Sequence, residues 1–192
     1  MIIGVVGRIA AGKNTVIESL LEMGFEFVKL SKALHDEAKR LGMSGDRGKL
    51  QDLGNQLRQK GGAGVLAKML IPKLDINKNY VIDGIRNHNE VLELKKLKNF
   101  VLISVDAPQK IRFERVLKRG KEYDPKTWEE FVAIDERDFC ERDKEGRISE
   151  LGQQVGRCME LADFKLVNDK NFEDFKACVL EITKKIQGKY GR

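Results

Sequence analysis

Gly7, Gly12 and Lys13 stand in "GRIAAGKNT" at the spacing Gly, four residues, Gly-Lys, directly behind the apolar run "IIGVV". Two glycines so placed let the backbone turn tightly enough for the N–H groups of Gly7, Arg8, Ala10, Ala11 and Gly12 to converge. Lys13 adds a positive charge, and the helix opening there aims the positive end of its dipole at the same point. Together they make an anion site. An apolar strand before such a loop and a helix after it is the setting in which it holds the phosphates of a nucleotide. Asn14 follows the lysine, where a magnesium-ligating hydroxyl ordinarily stands, and an amide bonds more readily to magnesium-bound water than to the ion itself. Thr15 supplies a hydroxyl one residue later.

A carboxylate and several guanidinium groups extend this set. "YVIDGIR" puts Asp83 at the end of an apolar run, the end at which ligands of an open α/β sheet collect. A carboxylate there can order the water shell of phosphate-bound magnesium, although Asp83-Gly84 also has the form of a plain strand-end turn. "PQKIRFERVLKRGK" (108–121) holds six basic side chains and one acid. A helix would line Arg112, Arg115 and Arg119 on one face. That face is either solvated or turned to a transferring phosphoryl group, where planar donors neutralise developing charge. The run leads straight into a long charged segment, which favours the second reading for Arg119 and leaves both readings open for Arg115, a candidate nucleotide contact. "DRGKLQDLGNQLRQKGGAG" supplies Arg47 and Arg58, either of which could meet the phosphate of an acceptor, with Gly61, Gly62 and Gly64 beyond them as a hinge or a loop.

Strand-like runs at 2–6, 25–30, 80–83, 100–105 and 164–167 alternate with helical patterns at 13–23, 88–98, 108–119 and 172–187. Alternation of this kind predicts an α/β fold with a mainly parallel sheet covered on both faces. Two segments break it. Residues 31–72 insert about three helices, and 120–150 insert a charged helical stretch. Excursions of that length are lids, binding modules or extra packing helices. The expectation is one domain over 1–192, with an acceptor-binding excursion at 31–72 and a lid at 120–150. With 41% hydrophobic and 34% charged residues the chain reads as globular. It has no apolar run of bilayer length, and "MIIGVV" carries no basic n-region and runs straight into the glycine loop, so a cytoplasmic location away from membranes is expected. Cys140, Cys158 and Cys178, with His35 and His88, form neither a disulfide framework nor a metal set. A net charge of +6 favours an anionic partner, either phosphorylated small molecules or nucleic acid.

With these motifs the chain resembles the P-loop nucleoside monophosphate kinases. Within that group it is most similar to the mainly archaeal dephospho-coenzyme A kinase-like/nucleotide kinase-like family. The carrying stretches include "GRIAAGKNT", "LGNQLRQKGGAGVLAKMLIPKL", "VIDGIRNHNEV", "RFERVLKRGKEYDPKTWEEF", "DERDF" and "ELADFKLVND". The resemblance implies a three-layer P-loop kinase fold on a five-stranded sheet of order 2-3-1-4-5. It also implies ATP with Mg2+ and transfer to a phosphorylated acceptor, a nucleoside or deoxynucleoside monophosphate. Lys13, Asp83, Arg119 and Arg137 would then be catalytic, Arg137 reaching ATP as the lid closes. Asn14, Thr15 and Asp83 would hold magnesium largely through water. Arg86 would clamp the acceptor phosphate, in "DGIR", one residue shorter than the corresponding adenylate kinase segment. His35 stands where those enzymes carry an acceptor-side arginine. Ala162-Asp163, or the turn at Asn168, would lie near the adenine. Dephospho-coenzyme A kinases carry an Asp-x-Asp after the second strand; "VKLSKAL" has none, which argues against that substrate. Two alternatives stand beside the nucleotide kinase: dephospho-coenzyme A kinase-like activity, and an ATP-dependent switch with little turnover that binds RNA or a ribonucleoprotein, without a recognisable RNA-binding module to support it.

Overall fold

The longest apolar runs become the central strands β1 (Ile2–Gly7) and β4 (Phe100–Asp106), buried on both faces, as strands inside a parallel sheet must be. The computed structural model describes residues 1–43, 47–122, 124–143 and 145–190, with the backbone alone for 47, 48, 51, 52 and 190. Strands β2 (Glu26–Lys29), β3 (Tyr80–Asp83) and β5 (Phe164–Val167) complete one sheet of order β2-β3-β1-β4-β5. Every pair is parallel, with Ile2 opposite Tyr80 and Gly7 opposite Val105. The carboxyl ends of β3, β1 and β4 therefore share one edge. This is the five-stranded order expected above.

Side chains alternate across the sheet, so each face has its own core. Ile3 and Val5 pack with Val16 and Leu20 of α1 (Lys13–Glu22) and with Phe175 and Val179 of α9 (Phe172–Tyr190). Ile2 and Val6 face the other layer, built by α2 (Lys32–Arg40), α4 (Val65–Leu70), α5 (His88–Leu94) and α8 (Val155–Glu160). Helix α3 (Arg47–Gly61) packs on α2 and α4. Helices α6 (Gln109–Arg119) and α7 (Trp128–Phe139) are joined by Phe113, Trp128 and Phe131, whose ring centroids lie 5.3–5.9 Å apart.

The described residues of 120–150 hold one helix, α7, rather than a continuous helical stretch. A capping box between Thr127 and Glu130 starts it, and beyond it an isolated bridge pairs Arg142 with Ile148. Helix α8 has no counterpart in the periodicity. It is six residues long and contains Gly156, where a Cβ would fall 2.6 Å from the Phe139 ring. Close approach to α7, not helix propensity, fixes this element. No helix among the described residues is long and apolar enough to cross a membrane.

Candidate functional site

The loop between β1 and α1 is shaped by what lies behind it. Gly12 has φ 110°, and a Cβ there would sit 2.2 Å from Asn168 Nδ2. Asn168 is buried and donates through that nitrogen to the Ala11 carbonyl at 2.9 Å. Arg115 braces the same corner, donating to Asn168 Oδ1 at 3.0 Å and to the Ala11 carbonyl at 3.4 Å. Gly12→Ala therefore meets a backbone penalty and a fixed neighbour together. We expect it to abolish nucleotide binding by calorimetry while far-UV circular dichroism stays native.

Inside the loop, Lys13 Nζ donates to the carbonyls of Gly7 and Arg8 at 2.8 and 2.9 Å. Burial lowers the Lys13 ammonium to about 8; Asp83 opposes that shift, while Arg86 and Arg119 add to it. A cavity of about 470 Å³ opens above it. Its walls include Gly7 to Asn14 of the loop, Asp83 at the end of β3 and Arg86 beyond it, Arg115 and Arg119 of α6, Lys121, and Asp135, Asp138 and Phe139 of α7. Six lining cations, Arg8, Lys13, Arg86, Arg115, Arg119 and Lys121, with an open turn and a helix N-terminus, fit a polyphosphate. Among the described residues no group of three or more His, Cys, Asp or Glu could hold a metal. A divalent ion here would be carried by phosphate and water, the donor set that Asp83 and Asn14 complement.

Several expected residues stand elsewhere. Arg137 is 62% exposed, and its nearest acid is Asp138 at 3.8 Å. Helical spacing turns Asp135, Asp138 and Phe139 to the cavity and Arg137 away from it. Thr15 does not line the cavity; its N–H donates to the Gly12 carbonyl at 3.1 Å. Asn168 lies behind the loop, so its contact is with the loop backbone. Asp163 opens β5, accepting from the Leu102 N–H at 2.8 Å and from Lys95 at 2.7 Å, far from the edge where the loop lies. His35 is exposed on α2 and lines no part of the cavity. Arg58 is half-buried and also outside the lining, its Nε buried without a hydrogen-bond partner among the described residues. The Arg47 side chain lies outside the described residues. Arg119 lines the cavity while held by Asp124 at 2.6 and 2.7 Å.

Arg112, read as one of a basic row, is 2% exposed and donates to Ala107 O at 2.8 Å and to both oxygens of Asp135. Arg8, in the loop, reaches Asp135 at 2.7 and 3.2 Å and lies 4.3 Å over the Phe139 ring. Burial alone would raise the Asp135 carboxyl, but Arg112 and Arg8 outweigh it and hold the group below its usual range. These contacts fasten α7 to the phosphate-holding turn. A second tie runs from the loop after β3. Asn87 caps α5 and donates to the carbonyls of Glu150 and Gly152, while the buried Gln154 donates its N–H to Arg86 O at 2.7 Å. Arg86 itself donates to Gln153 at 2.8 Å. The i, i+3, i+4 spacing of Asp135, Asp138 and Phe139 was visible in "DERDF", and "NHNE" is a capping-box pattern. Neither pattern names its distant partner.

A family model described as an AAA domain matches residues 3–142. The chain is 34% identical over 185 residues to a UPF0200 protein of Sulfurisphaera tokodaii, covering 96% of this chain and 97% of that one. A UPF0200 protein of Pyrococcus abyssi is 33% identical over 193 residues, with 97% of each covered. Among solved structures, a shikimate kinase from Bacteroides thetaiotaomicron superposes with a TM-score of 0.61 at 12% identity, covering 97% and 98%. TT1252 from Thermus thermophilus gives 0.58 at 23% identity, covering 96% and 97%.

Proposed function

Because the chain belongs to the UPF0200 family and has the P-loop kinase fold, we propose that it is an ATP-dependent phosphotransferase acting on a small phosphorylated acceptor, in the first instance a nucleotide. One observation carries this reading: Lys13 of α1, Asp83 and Arg86 at and just after the end of β3, and Arg119 of α6 line a single cavity. Bound ATP with magnesium would supply the transferable phosphoryl group. Lys13 and the loop amides hold its phosphates, and Asp83 orders the water around the ion. Arg119 neutralises charge on the equatorial oxygens, and Arg86 orients the acceptor. This division of labour is positioning and electrostatics, which is most of what phosphoryl transfer asks of a protein.

The test is a panel of AMP, CMP, deoxynucleoside monophosphates and dephospho-coenzyme A with ATP and magnesium, followed by ADP release. One acceptor is expected to stimulate release strongly. Indifference to all of them, alongside RNA affinity that falls steeply with salt, would favour an ATP-gated RNA-binding role instead. Asp83→Asn is expected to raise the magnesium concentration needed for half-maximal ATP binding by about 10–100-fold, as loss of an outer-shell partner does.

A further inference from the structure

Asp138 is a cavity-lining carboxylate to which the division of labour above gives no task. It stands one turn beyond Asp135, whose pairing with Arg8 and Arg112 fixes α7 and so aims the next turn at the cavity. Its side chain is 23% exposed. Arg86 lies 3.9 Å away and Arg137 3.8 Å, both beyond hydrogen-bond reach. No described residue donates a hydrogen bond to it, whereas Asp135 accepts from Arg8, Gln109 and Arg112. Burial raises the proton affinity of Asp138; Arg86, Arg137 and Lys13 oppose the shift, and Asp135 adds to it. A cavity carboxylate with open lone pairs and raised proton affinity has the properties of a general base.

We propose that Asp138 takes the proton of the attacking oxygen, and hence that the phosphoryl group passes to a hydroxyl of the acceptor rather than to its phosphate. The proposal rests on the phosphotransfer reading of the cavity. In the step, the hydroxyl oxygen bonds to the γ-phosphorus while the bond from that phosphorus to the β,γ-bridging oxygen breaks. The electron pair leaves with ADP, and the hydroxyl proton passes to the Asp138 carboxylate. A fully ionised phosphate has no proton to give up, and a carboxylate beside it would repel it. A hydroxyl is both attracted by the carboxylate and activated by it. Arg86 compensates the charge of the carboxylate before the proton arrives.

The experiment uses the whole chain, with ATP, magnesium and AMP, CMP or dephospho-coenzyme A as acceptor probes. Phosphorus NMR of the wild-type product should show a new phosphomonoester without phosphorus–phosphorus coupling to the phosphate of the acceptor. Asp138→Asn should slow transfer by about 10²–10⁴-fold while the calorimetric Kd for ATP is unchanged. Without any substrate, carbon-13 titration of the Asp138 carboxyl, assigned by the signal lost in Asp138→Asn, should give a midpoint above the ordinary aspartate range. A phosphoanhydride product, a wild-type rate in Asp138→Asn, or no transfer to any probe despite bound ATP overturns the proposal. The first two of these leave the phosphotransfer reading standing. Failure of the wild type to bind ATP removes both.

Discussion

Lys13→Met is expected to lower phosphoryl transfer by about 10²–10³-fold or more and yet leave the ligand-free protein at least as stable as wild type. The two effects have one cause. Lys13 is held within the loop by two carbonyls, and burial lowers its ammonium from the ordinary lysine value of 10.5 to about 8. Below pH 8 the folded protein carries the desolvation of a charged lysine in full, a cost on the order of 3 kcal/mol. Between 8 and 10.5 the unfolded chain binds the extra proton, so the contribution of this group to stability rises with pH over that window. Methionine removes the charge and retains the apolar stem, and the melting temperature should hold or rise near neutral pH. Nucleotide binding follows the opposite trend. An anionic phosphate raises the ammonium again, so ATP affinity should be flat below pH 8 and fall by up to about tenfold per unit above it. Calorimetry from pH 6.5 to 9.5 checks the slope, which Lys13→Met should abolish. A steep fall that persisted in the methionine variant would move the titrating group elsewhere.

Asp135→Ala should be the most destabilising single change near the cavity. It leaves Arg112, 2% exposed, as a buried charge without its carboxylate, and removing one partner of such a pair costs about 3–5 kcal/mol. For a chain of this length that corresponds to a melting temperature lower by roughly 10 °C. The same change frees Arg8 and so unfastens α7 from the turn that holds phosphate. Trp128, the single tryptophan, sits at the start of α7 against Phe113 and Phe131, and its emission should report the loosening before global unfolding. The KM for ATP should rise with it. Asp135→Asn keeps the shape and one acceptor oxygen but loses the charge and turns its NH2 toward guanidinium donors, and should fall between the two. Equal stability of wild type and Asp135→Ala would show that α7 is held by its aromatic contacts alone.

The local pieces were legible in the chain because they depend on neighbours in sequence. "IIGVV" and "FVLISV" are apolar throughout because a central parallel strand meets a core on each face. Gly7, Gly12 and Lys13 mark a turn whose geometry is set within a few residues. The alternation of strands with helices follows from the same runs and predicts a parallel sheet, while the strand order 2-3-1-4-5 came from the family resemblance. The direction in which each charged side chain points is a different kind of property. Arg112 and Asp135 are 23 residues apart, and nothing near either one shows that they neutralise each other in the interior. Arg8 looks like a free loop cation until α7 docks against it. Arg137 and Asp138 are adjacent in sequence, and a rotation of one helical position sends the arginine to solvent and the carboxylate to the cavity. That rotation is fixed by the buried pairing of Asp135 and the packing of Phe139, which are long-range contacts. The sequence by itself determined that there is an anion-holding loop on a parallel sheet. Only the tertiary structure decided which acids and arginines share its cavity, because burial and pairing of charge are properties of surfaces brought together by the fold.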